Sequence, residues 1–145
     1  MPREFETIDY TFEFVMDYGA LREFNRHRMM TLILKPLTTS LGTRIPALIE
    51  EATLQREFES ATATADRLRR ELAKHHGIHV AQYAVTHAHL QASTAKMNLR
   101  QLDHVISLRT SPNAHESISG PVAQAAKLAA NVHPELFQAI AISSR

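Results

Sequence analysis

Arginine and histidine side chains stand side by side at Arg26-His27-Arg28, directly after a stretch with the pattern of a short helix. Arginine offers paired donors in a planar fork that matches the oxygens of a phosphate, and histidine adds a further donor or acceptor. The three residues therefore predict an anion-binding corner. A second interpretation stays open, because cations at a helix end are also stabilised by the helix dipole without any ligand.

A second polar group follows later in the chain, at Asn98, Arg100, His104 and Arg109. On a helix, Arg100 and His104 are one turn apart and share a face. Asn98 stands where it can act as the N-cap, and Arg109 lies near the last turn. Such a helix would present an amide, cations and an imidazole to a polar ligand. The alternative is an ordinary solvated helix face.

The nine histidines raise the question of a metal site. His75, His76 and His79 are close in sequence, and His87 and His89 are two residues apart. A zinc site needs three or four converging ligands, whereas the chain has no cysteine and no HExxH motif. We therefore predict that no metal is bound and that these histidines lie at the surface.

Other classes of protein lack their motifs here. The chain contains no GxSxG, GxGxxG or GxxxxGK[ST] sequence, so neither serine hydrolase chemistry nor a common nucleotide-binding loop is indicated. A formal net charge of +1 does not suggest a nucleic-acid-binding surface. No apolar run approaches the ~20 residues of a membrane span, and the N-terminus lacks the apolar region of a signal peptide. These observations predict a cytoplasmic protein with no nucleic-acid or membrane partner.

The elements that must position these residues are mostly helical. Alternating residues from Glu4 to Met16 predict a half-buried strand, and Asp17 can cap a short helix that ends near Arg28. The segment 29–42 is expected to be a loop with at most a short extended piece, and 86–95 is ambiguous. Further helices are predicted from Pro46 to Gly77, over 80–85, after Asn98, from Gly120-Pro121 through Ala130, and from Pro134 onward.

The length of the chain predicts a single domain. Its 145 residues are about one domain's worth, and hydrophobic and charged shares of 44% and 21% are ordinary for a globular protein. There is no internal repeat, low-complexity segment or linker. We predict one mostly helical α+β (α/β) domain over residues 1–145, with a small sheet.

Four stretches, taken in order, resemble the flavin-dependent thymidylate synthases. They read FETIDYTFEFVMDYGALREFNRHR, GIHVAQYAV, MNLRQLDHVISLRTSPNAHESI and VHPELFQAI, and they span Phe5 to Ile140. The specific part of the resemblance is RHR followed, at the right separation, by NLRxxxHxxxxR. The chain is most similar to a divergent subgroup with short loops.

This resemblance implies a thymidylate-synthase-like fold, with a small antiparallel sheet and several helices, that assembles as a homotetramer and holds FAD between subunits. A reduced folate and NADPH are further candidate cofactors, and the substrate is a small molecule. Arg109 corresponds to a catalytic position near the pyrimidine and the flavin ring. The cofactor-binding residues that the resemblance implies are Arg26, His27, Arg28, Asn98, Arg100 and His104.

The chain departs from the family directly after RHR. The family pattern RHRxxSxNExSxRY stands here as RHRMMTLILKPLTT. Glu23 stands where the family often has a glutamine that faces the nucleotide phosphate. Losing several charge-assisted hydrogen bonds, at about 1.5–3 kcal/mol each, is expected to weaken nucleotide binding by orders of magnitude. The other replaced positions are Thr31, Ile33, Leu34, Pro36, Thr38, Thr39 and Gln82.

Three functions follow from the retained and the replaced residues. The first is a flavin-dependent enzyme of methyltransferase or oxidoreductase type, repurposed for a modified pyrimidine nucleotide or another small molecule through C5 methylation or flavin redox chemistry. The second is a catalytically degenerate binding or assembly module of the same fold. The third is an authentic FAD-dependent thymidylate synthase. The retained arginines favour the first, and the lost nucleotide contacts place the third last.

Overall fold

The chain forms a three-stranded antiparallel sheet with helices packed against one face. The computed structural model describes residues 2–143, with side chains described through Gln138; Met1, Ser144 and Arg145 of the predicted 1–145 domain lie outside the described residues. The strands are β1 (Asp9–Asp17), β2 (Thr31–Leu34) and β3 (Leu90–Asn98). Their order is β1-β3-β2, so β3 is central and pairs antiparallel with both neighbours.

Six helices and two short 3-10 turns complete the fold of the described residues, which confirms the predicted α+β class. No described helix has both the length and the apolar character that crossing a membrane requires. The helices are α1 (Tyr18–Phe24), α2 (Ala47–Glu51), α3 (Gln55–Ala81), α4 (Leu99–Arg109), α5 (Glu116–Val132) and α6 (Pro134–Ser143), and the 3-10 turns are Arg3–Thr7 and Gln82–Ala84.

The alternation predicted for β1 is present. Tyr10, Phe14 and Met16 are buried on one face, while Thr11 and Glu13 on the other face are exposed. The strand begins at Asp9, because the residues before it form a 3-10 turn. The buried face packs against apolar side chains of α1, α4 and α5. These include Leu21, Phe24, Leu99, Leu102, Val105, Ile118 and Val122.

Helix α1 begins where the sequence predicts and ends one turn earlier. The Asp17 carboxylate accepts a hydrogen bond from Ala20 N at 2.8 Å and caps the helix. At the other end, Arg26 N donates to Glu23 O and His27 N donates to Phe24 O. These bonds span three residues instead of four, so the chain leaves the helix in tight turns. The prediction of a helix to Arg28 is wrong, and Arg26-His27-Arg28 lie in the turns that follow α1.

The single helix predicted from Pro46 to Gly77 is wrong, because the chain forms two helices there. Thr53 adopts a φ of 56°. Its N–H donates to Glu50 O at 3.0 Å, and Leu54 N donates to Ile49 O at 3.0 Å. This pair of bonds around a left-handed residue closes α2. Glycine usually takes that position, so a threonine there gave no signal.

Helix α3 is interrupted at Gly77, where the sequence predicts its end, and continues beyond a kink. Gly77 has a φ of 82° and a ψ of 168°, which are not helical. Glycine adopts such a conformation readily because it has no Cβ. The helix predicted over 80–85 corresponds to the last residues of α3 and the second 3-10 turn.

The predicted apolar stripe of α3 is not a core face within this chain. Ala81, at its C-terminal end, is the one residue of α3 that is buried by the described residues. Leu68 is 51% exposed, and Leu54, which precedes the helix, is 44% exposed. The periodicity predicted a helix correctly, but not what would cover it.

Helix α5 begins at Glu116, earlier than the predicted start at Gly120-Pro121. His115 acts as the N-cap, since its Nδ1 accepts a hydrogen bond from Ser117 N at 3.2 Å. Histidine is not among the preferred capping residues, and the helix continues through Pro121.

Strand β3 occupies much of the segment that the sequence left ambiguous. Its inward face carries Gln91 and Ser93 as well as Ala95 and Met97, all of them buried. Two polar residues on the buried face obscure the apolar alternation that identifies a strand.

Candidate functional site

His27 is a buried residue in the turn that follows α1. It is 7% exposed, and its ring lies 6.0 Å from that of Phe24. Burial, together with the neighbouring Arg109 and His104, lowers the pKa of His27 to about 4. The imidazole is therefore neutral at pH 7. Its Nε2 accepts a hydrogen bond from Arg109 Nε–H at 2.9 Å, so Nδ1 carries the proton and is a donor.

Arg109 is held in place by α1. Its Nη2 donates to the backbone carbonyl of Glu23 at 3.1 Å, and its Nη1 lies 3.7 Å from Glu23 Oε2. The other carboxylate oxygen of Glu23 lies 2.7 Å from Arg26 Nη2. The fold thus joins the end of α4 to the turn after α1. We call Glu23, Arg26, His27, Arg28 and Arg109 the arginine–histidine corner.

A cleft of about 520 Å³ lies beside this corner, between the first 3-10 turn and α4. Asn98 lines this cleft at the start of α4. Its Oδ1 accepts a hydrogen bond from Gln101 N at 2.8 Å and so caps the helix. Arg100 forms an ion pair with Glu6 from the 3-10 turn. The lining residues are Arg3, Glu6, Met29, Asn98, Arg100, Gln101, Asp103, His104 and Ser107.

His104 connects the cleft to the corner. It lines the cleft, and its ring lies 6.1 Å from the ring of His27 in an edge-on arrangement. The fold therefore brings the predicted site residues into two adjacent groups. Asn98, Arg100 and His104 lie at the cleft, and Arg26, His27 and Arg109 lie at the corner. Arg28 is exposed, and its side chain forms no hydrogen bond or ion pair within the described residues.

A comparison with protein families identifies the family of this chain. The model of the family described as thymidylate synthase complementing protein matches residues 2–135. The chain belongs to that family.

Two curated relatives are similar to most of this chain. It is 34% identical over 135 residues to the UPF0159 protein Ta1429 of Thermoplasma acidophilum, covering 92% of this chain and 27% of that protein. It is 32% identical over 133 residues to a UPF0159 protein of Chlamydia muridarum, covering 92% of this chain and 25% of that protein. The chain thus spans about a quarter of the length of these relatives.

One matching solved structure is that of thymidylate synthase X from Helicobacter pylori, crystallised with FAD and dUMP. It matches with a TM-score of 0.66 and 20% sequence identity, covering 86% of this chain and 69% of that one. At this identity the match shows a shared fold.

Three of the positions that depart from the family pattern, Thr38, Thr39 and Gln82, form hydrogen bonds within the chain. Gln82 Oε1 accepts a hydrogen bond from Leu37 N at 2.8 Å. Gln91 accepts from Thr38 N at 3.0 Å and donates to Thr38 O at 2.7 Å. The Thr39 hydroxyl donates to the Asp66 carboxylate of α3. The segment 37–39 is therefore held by side chains of three other elements.

Two carboxylates at the site were not predicted as partners of its arginines. Glu23 was expected to repel a nucleotide phosphate, but its pairing with Arg26 was readable, since three residues on a helix bring side chains together. The pairing of Glu6 with Arg100 had no local signal, because the two residues are 94 apart in sequence.

The five histidines considered as metal ligands divide into two kinds. Four of them are exposed, as predicted: His75, His76, His79 and His87. His89 is 2% exposed, which contradicts the prediction; its Nδ1 lies 2.9 Å from the Thr86 hydroxyl. Across the described residues, no three His, Asp or Glu side chains converge as metal ligands would.

Proposed function

We propose that this chain is the flavin-binding part of a thymidylate-synthase-like enzyme that acts on a small molecule other than the usual deoxyuridine monophosphate. The observation that carries the proposal is the neutral His27, fixed by Arg109 and next to the cleft of Asn98, Arg100 and His104. Family membership and the fold shared with a protein crystallised with FAD and dUMP support it.

The residues of the cleft suit FAD. Arg3 can donate to phosphate oxygens in the bidentate manner of a guanidinium group, whereas Arg100 would first have to leave Glu6. The exposed Met29 offers apolar surface to a ring. His27 supplies a neutral N–H donor at the side of the corner. FAD, when bound, supplies hydride transfer. The chain's own residues would orient it, with Arg109 as the group nearest the substrate.

The substrate side of the proposal follows from the replaced residues. Thr38 and Gln82 are occupied by hydrogen bonds within the chain, so they offer less to a nucleotide than charged side chains would. C5 methylation with a reduced folate as donor, and flavin redox chemistry with NADPH as reductant, are both compatible with a cofactor site of this kind.

A cytoplasmic homotetramer is part of the proposal. The apolar stripe of α3 is exposed in the single chain, as Leu68 illustrates. A second copy that covered this stripe would bury it and could complete the cleft. Sedimentation of the purified protein tests this point, and a mass close to one chain would contradict it.

Flavin binding is the test of the proposed function. We expect the purified protein to show the visible absorbance of a flavin, or to acquire it when FAD is added. Arg100→Ala and His104→Ala should each weaken FAD binding about tenfold or more, because each removes a group from the cleft. Arg70→Ala is the matched control, since Arg70 pairs with Asp66 on α3. A colourless protein that binds no added FAD would rule out the proposal.

The alternative is a catalytically degenerate binding or assembly module. Ile33 and Leu34 on the edge strand β2, which replace polar family residues, are 59% and 45% exposed, and this exposed apolar edge favours an interaction role. FAD binding without turnover of any pyrimidine substrate would support it. The authentic thymidylate synthase ranks last, and complementation of a thymidine-requiring strain would revive it.

A further inference from the structure

Glu23 brings a negative charge into the arginine–histidine corner. Its Oε1 lies 2.7 Å from Arg26 Nη2, and its Oε2 lies 3.7 Å from Arg109 Nη1. Its backbone carbonyl accepts a further hydrogen bond from Arg109. Glu23 therefore engages Arg26, which is predicted to bind an anion, and Arg109, which the resemblance implies as the catalytic residue.

The other charges at the corner do not rebuild a phosphate site. His27 is neutral at pH 7 and adds no positive charge. Within the described residues Arg28 has no carboxylate partner, so it is the corner's one arginine without an internal counter-charge. A phosphate that entered would compete with a carboxylate that lies 2.7 Å from Arg26 and 3.7 Å from Arg109. Exchanging one oxyanion for another at the same guanidinium groups yields little net binding.

Glu23 also lines a second cavity, of about 460 Å³, between α1 and the start of α5. Its charged lining residues are Asp17, Glu23 and Arg44, and Arg44 Nη2 lies 3.4 Å from Glu116 Oε1. Carboxylates on a cavity wall repel an anionic ligand, so these walls favour an uncharged molecule over an anion.

We propose that Glu23 determines specificity by filling the anion position of the corner from within the chain, so that the site selects a substrate without a phosphate group. A free nucleoside, or another flat polar molecule of that size, fits this description better than a nucleotide. The proposal rests on the proposed function for the identity of the site as a substrate site. Its physical content, a carboxylate that competes with phosphate, does not require flavin.

Titration with inorganic phosphate tests the competition directly. We expect Glu23→Gln to bind phosphate about tenfold more tightly than the wild type, or better, because Arg26 and Arg109 become available. Glu13→Gln is the matched control, since Glu13 is exposed on β1 and forms no ion pair within the described residues. An unchanged phosphate affinity in Glu23→Gln would overturn the proposal. Glu23→Ser serves the same purpose should the glutamine variant fail to fold, as judged by thermal unfolding.

Deoxyuridine and dUMP test the consequence for the substrate. The wild type should show no preference for dUMP, whereas Glu23→Gln should gain affinity for dUMP and not for deoxyuridine. A wild type that prefers dUMP about tenfold or more would contradict the proposal. If neither compound binds, the phosphate titration decides. FAD titration of the same variants separates the two hypotheses. If Glu23→Gln binds phosphate more tightly but no variant binds FAD, the proposed function is contradicted and the role of Glu23 is supported. If FAD binds but the phosphate affinity of Glu23→Gln is unchanged, the role of Glu23 is contradicted and the proposed function is supported.

Discussion

The sheet with α1, α4 and α5 differs from α3 in what its apolar residues do. Phe24, Leu99 and Leu102 are at most 1% exposed, whereas Leu68 of α3 is 51% exposed. Both regions carry the helical spacing of apolar residues that normally marks a core face. The difference teaches that such spacing identifies a face that can be covered, but not the partner that covers it. The predicted site residues all lie on or beside the packed region.

The largest effect should come from Phe24 in the packed region. Phe24→Ala removes a fully buried ring that lies 4.8 Å from the ring of Phe14 and 6.0 Å from that of His27. We expect a loss of about 3–5 kcal/mol in the free energy of unfolding, because a large cavity replaces the ring. Urea unfolding measures it. A loss below about 1 kcal/mol would mean that the packed region does not carry the stability of the chain.

The second effect is the pH dependence that His27 gives the packed region. Its pKa is lowered from 6.5 to about 4 in the folded state. Between these two pH values His27 is protonated in the unfolded chain but not in the folded chain. Stability from this group is complete above pH 6.5 and falls as the pH drops towards 4. The loss approaches about 3 kcal/mol, at 1.36 kcal/mol for each pH unit.

The measurement is urea unfolding at several pH values for the wild type and for His27→Gln, which does not titrate. His89, whose pKa burial also lowers, contributes to both proteins and cancels in the difference. Parallel curves for the two proteins would show that His27 is not held neutral by the fold.

The third effect concerns a contact that ties α3 to the rest of the chain. Thr39 is 7% exposed, and its hydroxyl donates to Asp66 of α3. Thr39→Val removes this hydrogen bond with little change in shape, and we expect a loss of about 1–2 kcal/mol. Limited proteolysis should also cut faster within 55–81. Thr64→Val, at an exposed position of α3, is the control, and equal cleavage of both variants would argue against this tie.

The smallest effect is predicted for Leu68→Ala. In the single chain we expect the free energy of unfolding to change by no more than about 1 kcal/mol, because half of the side chain is already exposed to solvent. This prediction tests whether α3 really differs from the packed region. If the loss reaches about 2 kcal/mol and depends on protein concentration, another copy covers α3 and the two regions differ only within one chain. Analytical ultracentrifugation of the variant would then show dissociation.

Much of the fold was predictable because it depends on short-range rules. The alternation of β1, the Asp17 and Asn98 caps and the break at Gly77 all follow from residues a few positions apart. The predicted helix bounds were wrong where a residue type that rarely ends or caps a helix does so. Thr53 closes a helix in place of glycine, and His115 caps one in place of serine or aspartate.

The candidate site divides in the same way. The sequence by itself determined which residues could bind an anion or a cofactor, because type and spacing are properties of the chain. Only the tertiary structure decided which of them meet. Arg109 binds His27 across 82 residues and Arg100 binds Glu6 across 94. Such contacts depend on how β1, β3 and α4 pack, and packing responds to the whole buried surface at once. The same packing put Glu23 between two arginines and made His27 neutral.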